Sequence, residues 1–168
     1  MAIIETDRLY WRPFSNGDID TMVELFADER VAHWVGDGSA LSETQAQQWL
    51  RNAHQSLEEN GTSAGAIIER ASDQMIGWAG IVHPKDQKPE LIYGLEFSAW
   101  GKGYGLEAAT AIVDDARKNQ SFEQIIATVD PENTGSIKIL KKLGFHLIDS
   151  GVDEDGLPTD TYLLEMSR

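Results

Sequence analysis

The stretch that decides the fold lies just past the middle of the chain and reads Ser98-Ala99-Trp100-Gly101-Lys102-Gly103-Tyr104-Gly105-Leu106. Its three glycines alternate with larger residues, between an apolar segment typical of a strand and a stretch with helical spacing. Glycine has no Cβ, so the backbone can approach a ligand closely, and the first N–H groups of a helix have no partner within it. Such a turn binds anions, above all phosphate or pyrophosphate, although a plain tight turn would also need these glycines.

Two common nucleotide-binding motifs do not fit this loop. A P-loop requires Ser or Thr directly after its lysine, whereas Lys102 is followed by Gly103. The spacing of the glycines also differs from that of the dinucleotide-binding fingerprint. An ATP, GTP or dinucleotide site is therefore disfavoured.

The segments around the loop predict a mixed α/β (α+β) architecture. Apolar residues recur at helical spacing in two early segments and after the loop, and a capping box at Ser42 and Gln45 opens the second of these helices. Gly61 is suited to end that helix. The predicted strands are 8–12, 63–70, 75–83, 91–97, 124–129, 145–149 and 161–166, and the later helices are 104–118 and 134–143. This order predicts a mixed, mostly antiparallel central sheet of six or seven strands with helices on both faces.

Composition excludes several classes of protein. The 168 residues fit one domain, 1–168, and the absence of cysteine excludes disulfides, thiolate metal sites and a cysteine nucleophile. The net charge of −14 argues against nucleic-acid binding, because phosphates require a basic surface. Charges at Glu5 and Asp7 argue against a signal peptide, and no apolar run reaches membrane-spanning length. We therefore expect a cytoplasmic protein that binds neither nucleic acid nor membrane.

The loop resembles the coenzyme A pyrophosphate loop of the GNAT superfamily of N-acetyltransferases, which reads Arg/Gln-x-x-Gly-x-Gly/Ala. Trp100 stands in place of the Arg or Gln, a variant typical of the branch similar to ribosomal-protein-alanine (Rim-type) acetyltransferases. Further stretches of the chain resemble that branch: Thr6-Asp7-Arg8-Leu9 with Arg12-Pro13, Asn133-Thr134-Gly135-Ser136, and Lys142-Leu143-Gly144-Phe145. The resemblance implies the GNAT fold over nearly the whole chain and acetyl-CoA as co-substrate.

The resemblance also implies which backbone groups hold the coenzyme. The pyrophosphate would be held by the N–H groups of Lys102, Gly103, Tyr104, Gly105 and Leu106. The strand 91–97 would align the pantetheine arm, with Leu95, Glu96 and Phe97 beside the thioester and a bulge that frees an N–H for its carbonyl. Gly94 fits such a bulge, but it would equally well make room for a packed neighbour.

The transfer step needs a base for the amine and a hydrogen-bond donor for the departing thiolate. Glu90 and Glu96 are the candidate bases, and each could instead be a solvated charge at a strand end. Many members of the superfamily supply the acid from a Tyr four residues before the Gly-Phe pair, where this chain has Leu140, so Ser136 is the expected substitute. Asn133 could contact the coenzyme, cap a helix, or do both. The four histidines show no metal-ligand spacing, and no metal is expected.

These observations predict an N-acetyltransferase that transfers acetyl directly from acetyl-CoA to a primary amine in a ternary complex. The branch resemblance favours a protein N-terminus as acceptor, with the wall of the acceptor site near Trp34. The alternatives are a polyamine or aminoglycoside acetyltransferase and a non-catalytic coenzyme A sensor. The chain could act as a monomer or a homodimer.

Overall fold

The computed structural model describes residues 3–120 and 122–166, which form one sheet covered by helices on both faces. The strands are β1 (Ile4–Glu5), β2 (Leu9–Pro13), β3 (Ala64–Glu69), β4 (Gln74–Val82), β5 (Glu90–Leu95), β6 (Gln124–Val129), β7 (His146–Val152) and β8 (Pro158–Glu165). Their spatial order is β1-β2-β3-β4-β5-β6-β8-β7. Within the described ranges only β5 and β6 pair in parallel. The predicted mixed, mostly antiparallel sheet is confirmed.

The part of the chain that the structure describes has five α-helices between these strands: α1 (Ile19–Ala27), α2 (Glu29–Ala32), α3 (Glu43–Asn60), α4 (Tyr104–Asn119) and α5 (Thr134–Leu143). The capping box of α3 is confirmed, since the Gln45 N–H donates to Ser42 Oγ at 3.1 Å and the Ser42 N–H donates to Gln45 Oε1 at 2.8 Å. Gly61 ends α3 with a φ of +79°, as predicted for a left-handed C-terminal turn. Local sequence therefore sets both ends of this helix.

Each face of the sheet carries its own apolar core. On one face α4 and α5 pack over residues such as Trp11, Ile81 and Ile125. On the other face α1–α3 pack over Trp78, whose ring stacks on that of Phe26 with centroids 4.9 Å apart. Because strand side chains alternate between faces, neighbouring residues of β5 belong to different cores. This alternation decides which residues of β5 face which side.

The structure differs from the prediction at three places. The sheet has eight strands rather than six or seven, because the two-residue β1 pairs with β2 through Ile4 and Trp11. A single turn of helix, α2, begins at Asp28, whose side chain accepts the N–H of Arg30. Strand β5 ends at Leu95, and Phe97–Ala99 form a 3₁₀ turn. Elements of two to four residues carry too few positions for a periodicity to register.

Candidate active site

The glycine loop turns the chain from β5 into α4. Gly101 and Gly103 have φ values of +76° and +81°, and a Cβ on Gly101 would meet nothing within 4 Å. These two glycines therefore serve backbone conformation. Gly105 serves packing, because its Cβ would lie 3.0 Å from Ile139 Cδ1 of α5.

The first turn of α4 presents unpaired N–H groups. No side chain of the described residues caps the helix, and the first N–H bonded to its preceding turn is that of Glu107, which donates to Gly103 O at 3.1 Å. The N–H groups of Tyr104, Gly105 and Leu106 precede it and have no acceptor within the helix. Together with the helix dipole, they form a site for an anion.

Arg8, which directly precedes β2, holds this turn in place. Its Nη1 donates to Lys102 O at 2.8 Å, its Nε donates to Glu107 Oε1 at 2.8 Å, and its guanidinium carbon lies 4.4 Å from the centre of the Tyr104 ring. Partial burial alone would raise the pKa of Glu107, but hydrogen bonds from Thr6 and Arg8 outweigh it and lower that pKa. Arg8 thus neutralises a carboxylate that would otherwise repel a phosphate beside the helix N-terminus.

Strands β5 and β6 part immediately after they meet. Their only backbone bridge among the described residues joins Glu90 to Ile126. The Glu96 N–H donates to Ile76 O of β4, and on the other side of β5 the Ile126 N–H of β6 donates to Pro89 O. Because the direction of these groups alternates along a strand, the N–H groups of Tyr93 and Leu95 point into the gap. This gap could receive an extended, amide-bearing arm.

The gap does not arise from a bulge. The register of β4 and β5 runs without a shift from Gly77–Leu95 to Val82–Glu90, so the predicted bulge at Gly94 is wrong. A Cβ on Gly94 would lie 2.2 Å from Trp78 Cζ2, which means that this glycine makes room for a packed ring. The free N–H groups come from the divergence of two strands.

The two candidate bases lie in different surroundings. Glu90 accepts a hydrogen bond from Thr128 Oγ1 at 2.8 Å on the α1–α3 face, and burial raises its pKa although that bond partly offsets the rise. Glu96 is half-buried just beyond the end of β5 and accepts from Ser98 Oγ at 3.0 Å. Its N–H is taken by Ile76 and is not available to a coenzyme. The surroundings of Glu90 suit a base better than those of Glu96.

The opposite face carries hydroxyl groups. Ser136, in the first turn of α5, lies 2.7 Å from the hydroxyl of Tyr93. Asn133 caps α5 by accepting the Ser136 N–H at 3.2 Å. Leu140 is 1% exposed and packs in the core. Glu90 and Ser136 therefore lie on opposite faces of the sheet, on either side of the opening between β5 and β6.

Comparison with known proteins identifies this arrangement. A family model described as an acetyltransferase (GNAT) domain matches residues 8–146. The chain belongs to the GNAT acetyltransferase family. It is 28% identical over 147 residues to the uncharacterized N-acetyltransferase p20 of Bacillus licheniformis, covering 86% of this chain and 83% of that protein. The predicted membership and N-acetyltransferase activity are confirmed.

Solved structures of acetyltransferases share the fold. An acetyltransferase from Agrobacterium tumefaciens superposes with a TM-score of 0.85 at 23% identity, covering 98% of this chain and 95% of that one. RimL, a ribosomal L7/L12 alpha-N-protein acetyltransferase solved with coenzyme A, superposes with a TM-score of 0.83 at 12% identity, covering 98% of each chain. At these identities the likeness concerns the fold.

The sequence analysis assigned no role to two residues that lie around the gap of this GNAT acetyltransferase. Arg8 was part of a quoted motif without a role, and Tyr93 lay inside a predicted strand. Residues two apart in a strand share a face, so Tyr93 lies on the same face as the apolar Leu91 and Leu95. This spacing could have placed Tyr93 on the α4–α5 face. Its contact with Ser136 depends on how α5 packs and has no signal in the sequence.

The α1–α3 face of the GNAT domain carries a groove of about 460 Å³ beside Glu90. Its walls include Trp49 and Glu59 of α3, together with Val82 and Ile92 of the sheet. Val82 pairs directly with Glu90, so the groove adjoins the candidate base. Trp34, predicted near the acceptor, is half-buried and contacts the ring of His33.

Residues 3–120 and 122–166 of the GNAT chain contain neither a metal-binding cluster nor a membrane-spanning helix. Within these ranges no cluster of three or more His, Asp or Glu side chains could hold a metal ion. No helix of the same ranges has the length and apolar character needed to cross a membrane.

Proposed function

We propose that this chain is a cytoplasmic enzyme that transfers acetyl from acetyl-CoA directly to a primary amine, with a protein N-terminus as favoured acceptor. The observation that carries the proposal is the opening between β5 and β6, with an anion site at one end and candidate acid and base groups on opposite faces. A coenzyme entering from the α4–α5 face and an amine entering from the α1–α3 face would meet there. This geometry supports a ternary complex.

Each residue then has a role that follows from its position. The loop N–H groups from Lys102 to Leu106 hold the pyrophosphate, and the N–H groups of Tyr93 and Leu95 bond the arm and polarise the thioester carbonyl. A primary amine is mostly ammonium at neutral pH, so it must lose a proton before it attacks. Glu90, directly or through water, removes this proton, and Ser136 donates a hydrogen bond to the departing thiolate.

The acceptor class rests on two separate observations. RimL, a structural neighbour, is an alpha-N-protein acetyltransferase, which favours a protein N-terminus. The groove of about 460 Å³, in contrast, has the size of a small-molecule site. Its aromatic and acidic walls, Trp49 and Glu59, would suit a polyamine or aminoglycoside, and this is the second candidate.

Isothermal titration with acetyl-CoA, run beside ATP, tests the coenzyme site. Selective binding of acetyl-CoA is expected. If neither ligand binds, the glycines form only a structural turn and no coenzyme site. Release of free thiol is then measured with peptides that begin with Ser or Ala, with spermidine and with kanamycin. Turnover of the peptides supports the favoured acceptor, and turnover of the small amines alone supports the second candidate. Binding without any turnover would instead favour a coenzyme sensor.

A further inference from the structure

The hydroxyls of Tyr93 and Ser136 join the two sides of the opening. Tyr93 belongs to β5, while Ser136 belongs to α5, which follows β6. The Tyr93 oxygen lies 2.7 Å from Ser136 Oγ and 3.3 Å from the Ser136 carbonyl oxygen. Asn133 Oδ1 holds the Ser136 N–H at the same time, so both the backbone and the side chain of Ser136 are fixed.

The contact of 2.7 Å joins two hydroxyl groups, and either of them can donate. The single hydrogen of Tyr93 can point at the Ser136 carbonyl oxygen, which only accepts, or at Ser136 Oγ. Because a phenol is more acidic than an alkyl hydroxyl, we take Tyr93 as the donor to Ser136 Oγ in the shorter contact. Burial raises the pKa of Tyr93 to about 12, although its hydrogen bond with Ser136 partly opposes the rise, and its hydroxyl stays protonated at neutral pH. With Tyr93 donating, the hydrogen of Ser136 remains available to another acceptor.

We propose that Tyr93 is a positioning residue that fixes the Ser136 hydroxyl as hydrogen-bond donor to the thiolate leaving the acetyl group. This inference rests on the proposed function. In the step, the amine nitrogen bonds to the thioester carbon, the C–S bond breaks, and its electron pair stays on sulfur. The nitrogen loses its proton to the base, and the thiolate accepts the Ser136 hydrogen bond and takes a proton from solvent after release.

Two other positions near the gap do not supply a free hydroxyl group. Leu140, at the position where many relatives carry the acid, is apolar and 1% exposed. Tyr104 donates its hydroxyl to Glu69 Oε2 at 2.8 Å, away from α5. The hydroxyl pair formed by Tyr93 of β5 and Ser136 of α5 thus lies on the α4–α5 side of the gap.

A double-mutant cycle tests the proposal with Tyr93→Phe, Ser136→Ala and the double variant, using whichever acceptor the wild type turns over. We expect kcat to fall about tenfold to a hundredfold in Ser136→Ala and about five- to tenfold in Tyr93→Phe, with the KM for acetyl-CoA nearly unchanged. Because Tyr93 acts through Ser136, the double variant should be no slower than Ser136→Ala alone. Ser136→Thr, which keeps the hydroxyl, should retain most of the activity.

Tyr10→Phe is the matched control. Tyr10 lies on β2, and its hydroxyl donates a hydrogen bond to Asp73 Oδ1 at 2.8 Å. This variant should leave kcat unchanged. Losses that multiply in the double variant, or an unchanged kcat in Tyr93→Phe, would overturn the role of Tyr93 while the proposed acetyl transfer stands. A wild type that binds no acetyl-CoA would instead remove the proposed function itself.

Discussion

At the scale of single residues, the three loop glycines differ in what they contribute. Gly101 and Gly103 adopt left-handed backbone conformations, whereas Gly105 allows α4 to approach α5. A residue with a Cβ in the left-handed region costs about 1–2 kcal/mol. At Gly103 that cost would act where the N–H groups must point at the ligand.

We expect Gly103→Ala to weaken acetyl-CoA binding about tenfold, because relaxation out of the left-handed region redirects the first N–H groups of α4. Gly156→Ala is the matched control, since Gly156 has a φ of +78° against +81° and lies in the turn between β7 and β8. Both variants should lose about 1–2 kcal/mol of unfolding free energy, and only the first should lose affinity. Calorimetric titration and urea unfolding measure the two effects, and equal affinities would contradict the loop assignment.

A second residue-scale prediction concerns Glu90. If it removes the amine proton, Glu90→Gln should lower kcat about a hundredfold, whereas Glu165→Gln, a hydrogen-bonded glutamate on β8, should not. If Glu96→Gln carries the loss instead, the base is Glu96.

The same Glu90 variant should change stability with a defined sign. Burial raises the folded-state pKa of Glu90 above its ordinary value of 4.5, so ionisation opposes folding. The stability contribution of this group is present below pH 4.5 and is lost as the pH rises through the folded pKa. Glu90→Gln should therefore melt at a higher temperature than wild type at pH 7, with the difference shrinking below pH 4.5. A lower melting temperature at pH 7 would contradict this account.

At the scale of elements, Arg8, directly before β2, contacts the N-terminus of α4 and compensates a negative charge there. Glu107 lies in the first helical turn, where a carboxylate favours the helix dipole but repels a phosphate. Arg8 reaches this carboxylate and the loop carbonyl of Lys102 at once. Its side chain is 45% exposed, so the ion pair contributes less than about 1 kcal/mol to stability.

Arg8→Met should therefore weaken acetyl-CoA binding about three- to tenfold with little change in unfolding free energy, because Glu107 is left uncompensated. The double variant Arg8→Met/Glu107→Gln should recover most of the affinity. Arg51→Met, which removes the same charge from an exposed site on α3, is the control. Titration calorimetry of the four proteins gives the comparison, and a double variant as weak as Arg8→Met would refute the electrostatic role.

At the scale of the whole molecule, the net charge of −14 opposes the approach of an anionic coenzyme. The anion site must therefore act at short range, where its N–H groups outweigh the long-range repulsion. Salt shortens the screening distance from about 30 Å at 0.01 M to about 8 Å at 0.15 M. Long-range repulsion should weaken accordingly.

The association rate of acetyl-CoA should consequently rise about two- to threefold between these salt concentrations. Acetyl-pantetheine, which lacks the phosphates, is the matched control and should show no such rise. Stopped-flow tryptophan fluorescence can follow binding, because Trp100 lies in the loop and is 39% exposed. A rate that falls with salt would show that the local field of the site, and not the net charge, governs encounter.

The sequence by itself determined the features that depend on neighbours along the chain. The capping box at Ser42, the left-handed ends at Gly61 and Gly103, and the apolar spacing of α4 all follow from local preference. The glycine loop was therefore predictable as a turn that leads from a strand into a helix, and its motif pointed to the correct family.

Only the tertiary structure decided the rest. Gly94 could be read as a bulge or as room for a neighbour until the packing of Trp78 was known. Three further features also depend on residues that are 36 to 99 positions apart. They are the divergence of β5 and β6, the ion pair of Arg8 with Glu107, and the contact of Tyr93 with Ser136. Such contacts are set by how helices and strands pack on one sheet, and local periodicity carries no information about them.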